Sequence, residues 1–412
     1  MHRVSIHLIY GTIAVMQFYK NYKTQYSLES IKNYIVDGFT FFEDNQSHEL
    51  FVALLRKADD QYYIPNIKDK LNTIEWVAFE KAAEKISSDK DNLLKARQNF
   101  YYNKPIKTYE NLMSIKSLII AVPTYNGAST ISKTLDSIVE NFKEIPASIQ
   151  KEIIICTDHC TDDTVSIVKY FIGEKRTEKM KITLINNLND KGKANALNQV
   201  FIFSSGELFG VVDDDVILGK NCLLNLVKAL VENKKLRCVF SARVRLPLKS
   251  NNPWRLFWYW ILGIKFDVKP YDKPSGIVRG QSMILRRENL VHFPAVLNED
   301  QFLHYIYWPQ TKEVSDSIVY FNYVSSVYDC YRRSIRLKFG SKQMSKHFTK
   351  ERIHEYSHTV IRKINYRKVL HMPWRLKGPF LFYKLIMFCI NTCVKMKLHF
   401  IKDYEWYRFK QY

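Results

Sequence analysis

From residue 117 onward, short aliphatic runs alternate with stretches whose apolar residues recur at helical spacing. Residues 117–122, 152–156, 181–185, 208–212 and 237–242 read as strands, and 131–142, 163–171, 193–203 and 221–233 as helices between them. Regular strand and helix alternation predicts an α/β fold with a mostly parallel, Rossmann-like sheet and flanking helices. Before residue 117 the pattern differs. Leu50, Val52, Leu54 and Leu55, and then Ile74, Val77, Ala78 and Ile86, suggest helices over 48–58 and 73–86. Residues 4–19 are mildly apolar but interrupted by Tyr10, Gly11 and Gln17, with no small-residue cleavage site after them, and read as a buried or membrane-touching helix. The expected organisation is a helix-rich region over 1–114, an α/β domain over 115–336 and a basic, partly amphipathic helical region over 337–412.

Composition narrows this picture. With 46% hydrophobic and 25% charged residues the chain must fold, and its 13 Gly and 12 Pro, without any internal period, exclude collagen-like, low-complexity and solenoid architectures. The seven cysteines, at 156, 160, 222, 238, 330, 389 and 393, form no paired framework, which fits a reducing, cytoplasmic compartment. The formal charge of +21 points to an anionic partner, and most of it sits in the last 82 residues, with 20 Lys or Arg against 4 Asp or Glu. The best apolar run there, 380–390, is about half the length a spanning helix needs and contains Lys384, so contact with the inner face of a membrane is expected to be peripheral. Residues 252–266 set Trp254, Trp258 and Trp260 beside Arg255 and Lys265, a stretch suited to a membrane interface or to an aromatic helix covering the sheet.

In open α/β sheets ligands sit beyond the carboxyl ends of the strands, and here those positions are polar. The first strand runs into Pro123-Thr124-Tyr125-Asn126-Gly127, with Ser129 and Thr130 as helix caps. After the second come Thr157-Asp158 and Cys160-Thr161-Asp162-Asp163-Thr164. Asp158 can accept hydrogen bonds from a ribose or base, while Asp162 and Asp163 read equally as caps. Cys156, His159 and Cys160 lack the further ligands a zinc site needs. After the third strand, Lys191-Gly192-Lys193 opens a helix without P-loop spacing, so Lys193 faces either a phosphate or solvent.

The fourth strand ends in Asp213-Asp214-Asp215. Three adjacent carboxylates repel one another unless a cation intervenes, and strand alternation puts Asp213 and Asp215 on one side, able to share a hard divalent ion that also bridges a diphosphate, the alternative being a solvated acidic turn. Asn298-Glu299-Asp300 opens a later aromatic segment, either as a general base or as helix N-terminal charge. Arg332, Arg333 and Arg336 offer guanidinium groups suited to diphosphate oxygens, or to a solvated helix face.

Taken in order, Val122-Pro123-Thr124-Tyr125-Asn126, Cys160-Thr161-Asp162-Asp163-Thr164, Lys191-Gly192-Lys193-Ala194 with Ala196-Leu197-Asn198, Asp213-Asp214-Asp215 and Glu299-Asp300 resemble the family-2 glycosyltransferases with the GT-A fold. The resemblance covers roughly residues 117–336. It implies inverting transfer of a sugar from a nucleotide-sugar, with Mg²⁺ or Mn²⁺ at Asp213 and Asp215 and Asp300 as catalytic base. Pro123, Tyr125, Asn126, Asp158, Lys193, Asp213, Asp214, Arg333 and Arg336 would bind the donor, expected to be a UDP-sugar. The acceptor would be a glycan or a lipid-linked intermediate of surface polysaccharide synthesis. Thr157 stands where the family often has a second acidic residue. Arg333-Ser334-Ile335-Arg336 only approximates the Gln-x-x-Arg-Trp signature of processive synthases, which favours addition of a single residue. Three rival readings have features of their own: a nucleic-acid-binding protein using the basic tail with its interleaved aromatics, a sugar-phosphate nucleotidyltransferase and a non-catalytic scaffold. Against them stand, respectively, the acidic strand end, a first turn without the glycine- and arginine-rich signature, and the acidic positions retained.

Overall fold

The computed structural model describes residues 106–175, 180–188, 191–268, 278–289, 293–360 and 366–400, together with five strands within the first 78 residues. Those strands, β1 (Val4–Ile9), β2 (Thr12–Gln17), β3 (Ile35–Glu43), β4 (His48–Leu55) and β5 (Trp76–Ala78), form a sheet of order β3-β4-β1-β2-β5. Within the stretches expected to be helical, residues 4–9, 12–17, 48–55 and 76–78 are strand instead, and the remainder of 4–19, 48–58 and 73–86 lies outside the described residues. Residues 4–8 alternate apolar and polar, and 50–55 are an unbroken apolar run of a length that fits strand as well as helix. The rest of the expected helix-rich region up to residue 105 lies outside the described residues.

The α/β domain follows as β6 (Ser117–Thr124), α1 (Ile131–Glu144), β7 (Gln150–Thr157), α2 (Thr164–Lys175), β8 (Met180–Asn186), α3 (Lys193–Phe203), β9 (Leu208–Val212), β10 (Val216–Leu218), α4 (Cys222–Glu232), β11 (Cys238–Arg245), α5 (Pro253–Val268), β12 (Ser282–Arg286), α6 (Glu299–Tyr307), β13 (Thr311–Phe321) and α7 (Val327–Gln343). Then come α8 (Lys350–Val360), α9 (Tyr366–Leu370) and α10 (Trp374–Phe400). The expected boundary at residue 336 falls inside α7, which is continuous.

The second sheet has the order β10-β13-β11-β12-β9-β6-β7-β8. Strands β9, β6, β7 and β8 are mutually parallel, so their carboxyl ends share one edge. Beyond them β12 runs antiparallel to both β9 and β11, while β13 is parallel to β11 and antiparallel to β10. The sheet is therefore mixed.

Its central strands are buried on both faces, which is why they read as unbroken aliphatic runs. In β6 the side chains of Leu118, Ile120 and Val122 enter one core with α1, α4 and parts of α5, α7 and α10. Ile119 and Ala121 enter the other, with α3 and α6. The apolar run expected over 380–390 belongs to α10, 27 residues long and apolar enough to cross a membrane, which corrects the expectation that no helix here reaches that length. Pro379 lies in its second turn, where it removes a single backbone hydrogen bond and does not end the helix.

Candidate active site

A cavity of about 680 Å³ opens at the carboxyl edge of β6, β7 and β9, within the range of small-molecule sites. Pro123, Tyr125, Asp158, Lys193, Asp213, Asp214, Asp215, Asp300, Arg333 and Arg336 all line it. Of the predicted site residues, only Asn126 does not. With φ of 52° it sits in the left-handed region, and its Oδ1 accepts from the Thr161 N–H at 2.8 Å, so it ties the turn after β6 to the turn after β7. Asp162 likewise serves the fold: its carboxylate accepts from the N–H groups of Ala128 and Thr164.

At the end of β7, Asp158 is buried, and its carboxylate accepts from Asn187 Nδ2 at 2.7 Å and the Gly192 N–H at 2.9 Å. It thereby holds the loops after β8 and before α3 at the cavity wall, and its oxygens keep further lone pairs for a ligand. Gly192 has φ of 149°, a conformation that favours glycine, and this aims its N–H at Asp158. One residue earlier, the Lys191 ammonium lies 3.6 Å over the ring of Tyr125.

The acidic turn after β9 splits its three carboxylates among different tasks. Asp214 is buried and accepts from Thr124 Oγ1 at 2.5 Å, which locks the turn to the end of β6. Asp213 is 25% exposed toward the cavity, and its backbone N–H donates to Gln281 O at 3.1 Å. Its Oδ1 accepts from Lys193 Nζ at 2.6 Å, and the same ammonium is paired with Glu299. Gly280 makes room for this pair, since a Cβ there would lie 2.8 Å from Glu299 Oε1 and 3.0 Å from Lys193 Nζ. Beside it, Asp300 accepts from the Gly280 N–H at 3.3 Å and the Gln301 N–H at 2.8 Å.

The electrostatics follow from this packing. Burial raises Asp213 to about 6, with Asp215 and Glu299 adding to the rise and Lys193 opposing it. Asp300 is likewise pushed up to about 6 by burial and by Glu299, against the pull of Lys193 and the two N–H groups. For Lys193 burial disfavours the charge, but Asp213 and Glu299 outweigh it and hold the ammonium above the usual lysine range.

The cavity lining also includes basic residues. Arg243 donates to Gln281 Oε1 at 3.2 Å and lies over the Phe321 ring, Arg279 pairs with Glu313 at 2.8 Å, and Arg255 reaches Ser325. Arg333 lies over the Tyr323 ring at 4.9 Å, while the buried Nε of Arg336 has no hydrogen-bond partner among the described residues. Arg332 turns away to Tyr328 and is not part of the lining. Arg243 and Arg279 stand in no recognisable sequence motif, Arg255 is visible in the sequence only as a basic residue beside the tryptophans of 252–266, and Glu299, expected as a general base or helix N-terminal charge, is the second partner of Lys193.

Among the described residues no three or more His, Cys, Asp or Glu side chains are disposed to hold a metal ion by themselves. Asp213 and Asp215, both facing the cavity, are oxygen donors of the kind a hard divalent cation takes, and such a cation commonly completes its shell with substrate phosphate and water.

The sequence model described as Glycosyl transferase family 2 matches residues 119–292, which contain the strand-end motifs of β6 to β9. Over 129 residues the chain is 32% identical to a probable glycosyltransferase, YdaM, of Bacillus subtilis, covering 31% of this chain and 30% of that one. Over 150 residues it is 26% identical to the poly-beta-1,6-N-acetyl-D-glucosamine synthase of Staphylococcus epidermidis, covering 36% and 34%. The chain thus spans about a third of the length of these curated relatives. A mannosyltransferase from Pyrobaculum calidifontis, solved with GDP-Man and Mn²⁺, aligns over 75% of this chain and 88% of its own, with a TM-score of 0.46 and 20% identity.

Proposed function

We propose that the chain, whose residues 119–292 match the Glycosyl transferase family 2 model, transfers one sugar from a UDP-sugar to a hydroxyl of a glycan or lipid-linked acceptor, with inversion. The observation that carries this reading is the convergence of Asp158, Asp213, Asp215 and Asp300 with Arg333 and Arg336 on one cavity of nucleotide-sugar size. The similarity to a polysaccharide synthase over a third of the chain supports a saccharide acceptor. Leu337, where processive relatives are expected to carry tryptophan, supports addition of a single residue.

In this reading the nucleoside lies along the ends of β6 and β7, against Tyr125 and Asp158. The diphosphate lies between the acidic turn and the arginines of α7, where Arg336 Nε supplies a donor and Arg333 adds charge. Asp213 and Asp215 would hold Mg²⁺ or Mn²⁺, which when bound neutralises charge on the leaving diphosphate. Asp300, ionised near neutral pH yet basic enough to accept a proton, takes the hydrogen of the acceptor hydroxyl as its oxygen attacks the anomeric carbon from the face opposite the diphosphate. Lys193 holds Asp213 and Glu299 in place and limits the repulsion among four neighbouring carboxylates. Holding donor and acceptor in line contributes much of the rate.

The test is UDP release from a panel of UDP-sugars by the full-length protein, with candidate saccharide acceptors and Mn²⁺ or chelator. Metal-dependent, acceptor-stimulated UDP release is expected. UDP release unaffected by chelator would contradict the metal assignment, and pyrophosphate formation from a nucleoside triphosphate and a sugar phosphate would replace transfer with nucleotidyl transfer.

A further inference from the structure

A helix packed on a globular domain normally shows the solvent a polar face. The helix α10 does not. Phe380, Tyr383, Ile390 and Val394, at spacings of three, four and seven, form its buried stripe against α5 and α7. The opposite side carries Trp374, Leu381, Leu385, Phe388 and Met396, all exposed, with Trp374 at 86%, Phe388 at 69% and Leu385 at 60%. Lys377, Lys384 and Lys395, separated by seven and eleven residues, line up along one flank of that apolar face, and α10 contains no carboxylate.

The same surface continues onto α5. Trp258 of α5 stacks on Phe382 of α10 with ring centroids 6.3 Å apart, and α5 itself exposes Trp254, Phe257 and Trp260. Two adjacent helices thus present a row of large apolar side chains, rich in tryptophan and edged by lysine. That is the pattern of a surface seated at the boundary between lipid headgroups and acyl chains, where lysine stems lie on the apolar layer and their ammonium groups reach phosphate.

Length and composition alone would let α10, about 40 Å long, cross a bilayer. Its contacts argue for a different placement. Tyr383 meets the Ile261 and Ile264 cluster of α5, Met387 Sδ lies 3.8 Å from Cys330 Sγ of α7, and Lys338 Nζ of α7 donates to Asn391 O at 3.4 Å. The helix is therefore held along its length against the domain whose α7 lines the polar cavity, and cannot stand upright in a membrane while it keeps those contacts.

We infer that α5 and α10 together form a monotopic docking face for an anionic lipid bilayer, with α10 lying in the membrane plane. This does not depend on the donor-site reading, and UDP binding, measured separately, distinguishes the failure of one from the failure of the other. The experiment is flotation of the full-length protein with phosphatidylglycerol-containing vesicles and with pure phosphatidylcholine vesicles, followed by an alkaline wash. A parallel set uses the Leu385→Glu/Phe388→Glu variant, whose altered side chains are exposed and whose folding is checked by circular dichroism. Expected are flotation with the anionic vesicles, release by alkali, at least tenfold less bound protein for the folded variant, and quenching of tryptophan emission by brominated lipid. The inference is overturned if folded wild-type protein stays at the bottom of the gradient, if the variant floats as well as the wild type, or if alkali fails to release the protein, which would mean that α10 spans. Equal binding to phosphatidylcholine would remove the role given to the lysines.

Discussion

The acidic and basic parts of the cavity lining are built by different means. The acidic wall takes Asp158 and Asp213 to Asp215 from positions directly after parallel strands, where the sheet's hydrogen bonding fixes the backbone. The basic wall takes Arg243 from β11, Arg255 from α5, Arg279 from the turn before β12, and Arg333 and Arg336 from α7, elements distant in sequence that meet only through packing. The contrast is one of placement. Strand ends place Asp158 and the Asp213 to Asp215 turn, whereas Asp300 stands on the first turn of α6 and the guanidinium groups come from a strand, a turn and two helices.

That contrast can be broken or sharpened by substitution, in order of expected effect. Asp300→Asn keeps the shape of the acidic wall but removes its proton acceptor. Transfer should fall by about a thousandfold while the UDP dissociation constant, measured by calorimetry, stays within about twofold. Loss of both would show that Asp300 shapes the donor site instead.

Next comes the ion pair that binds the acidic wall together. Lys193→Met leaves Glu299, 7% exposed, and Asp213 without their counter-charge, and should lower stability by about 3 kcal/mol in denaturant titration. Adding Glu299→Gln should recover part of that loss; no recovery would mean that Lys193 acts through packing.

On the basic wall the effect should be milder. Arg336→Met removes a donor whose Nε has no partner within the described residues, so it should weaken UDP binding about tenfold, or about 1.4 kcal/mol, with little change in stability. A large loss of stability without a change in UDP affinity would assign Arg336 to the fold.

The smallest expected effect is the acid limb of the rate. Asp300 must be ionised to act, and its carboxyl is raised to about 6, so lowering the pH from 7 to 6 should reduce single-turnover transfer about twofold, with a steeper fall below 6. A limb near pH 4 would indicate a more solvated base.

The same contrast explains what could be read in the sequence. The strands β6, β7 and β9 and the residues just beyond them were legible because their carboxyl halves are buried on both faces, which writes each as an aliphatic run ending in a polar turn, while the edge strand β8 is only partly buried and alternates apolar with polar residues. Strand β13 was not legible, because Lys312, Glu313, Ser315 and Asp316 break its pattern, and its pairing with β11 shifts register between Ser241 and Ala242. Strand β10 is only three residues long and follows the acidic turn directly. The basic wall was half legible: Arg333 and Arg336 fall in a visible cluster, whereas Arg243, Arg255 and Arg279 are single residues brought to the cavity by tertiary packing. Asn126 matched a motif yet serves the loops. In α10, Pro379 and Lys384 divided an apolar stretch that the helix carries through.

The donor site is the central claim, and titration of UDP into the full-length protein, with and without Mn²⁺, tests it most directly. Binding that requires Mn²⁺ and disappears in Asp213→Asn/Asp215→Asn, while the folded variant keeps its circular dichroism spectrum, is the predicted result. No binding of UDP, GDP or other nucleoside diphosphates to the folded wild-type protein, with metal present, would contradict the account.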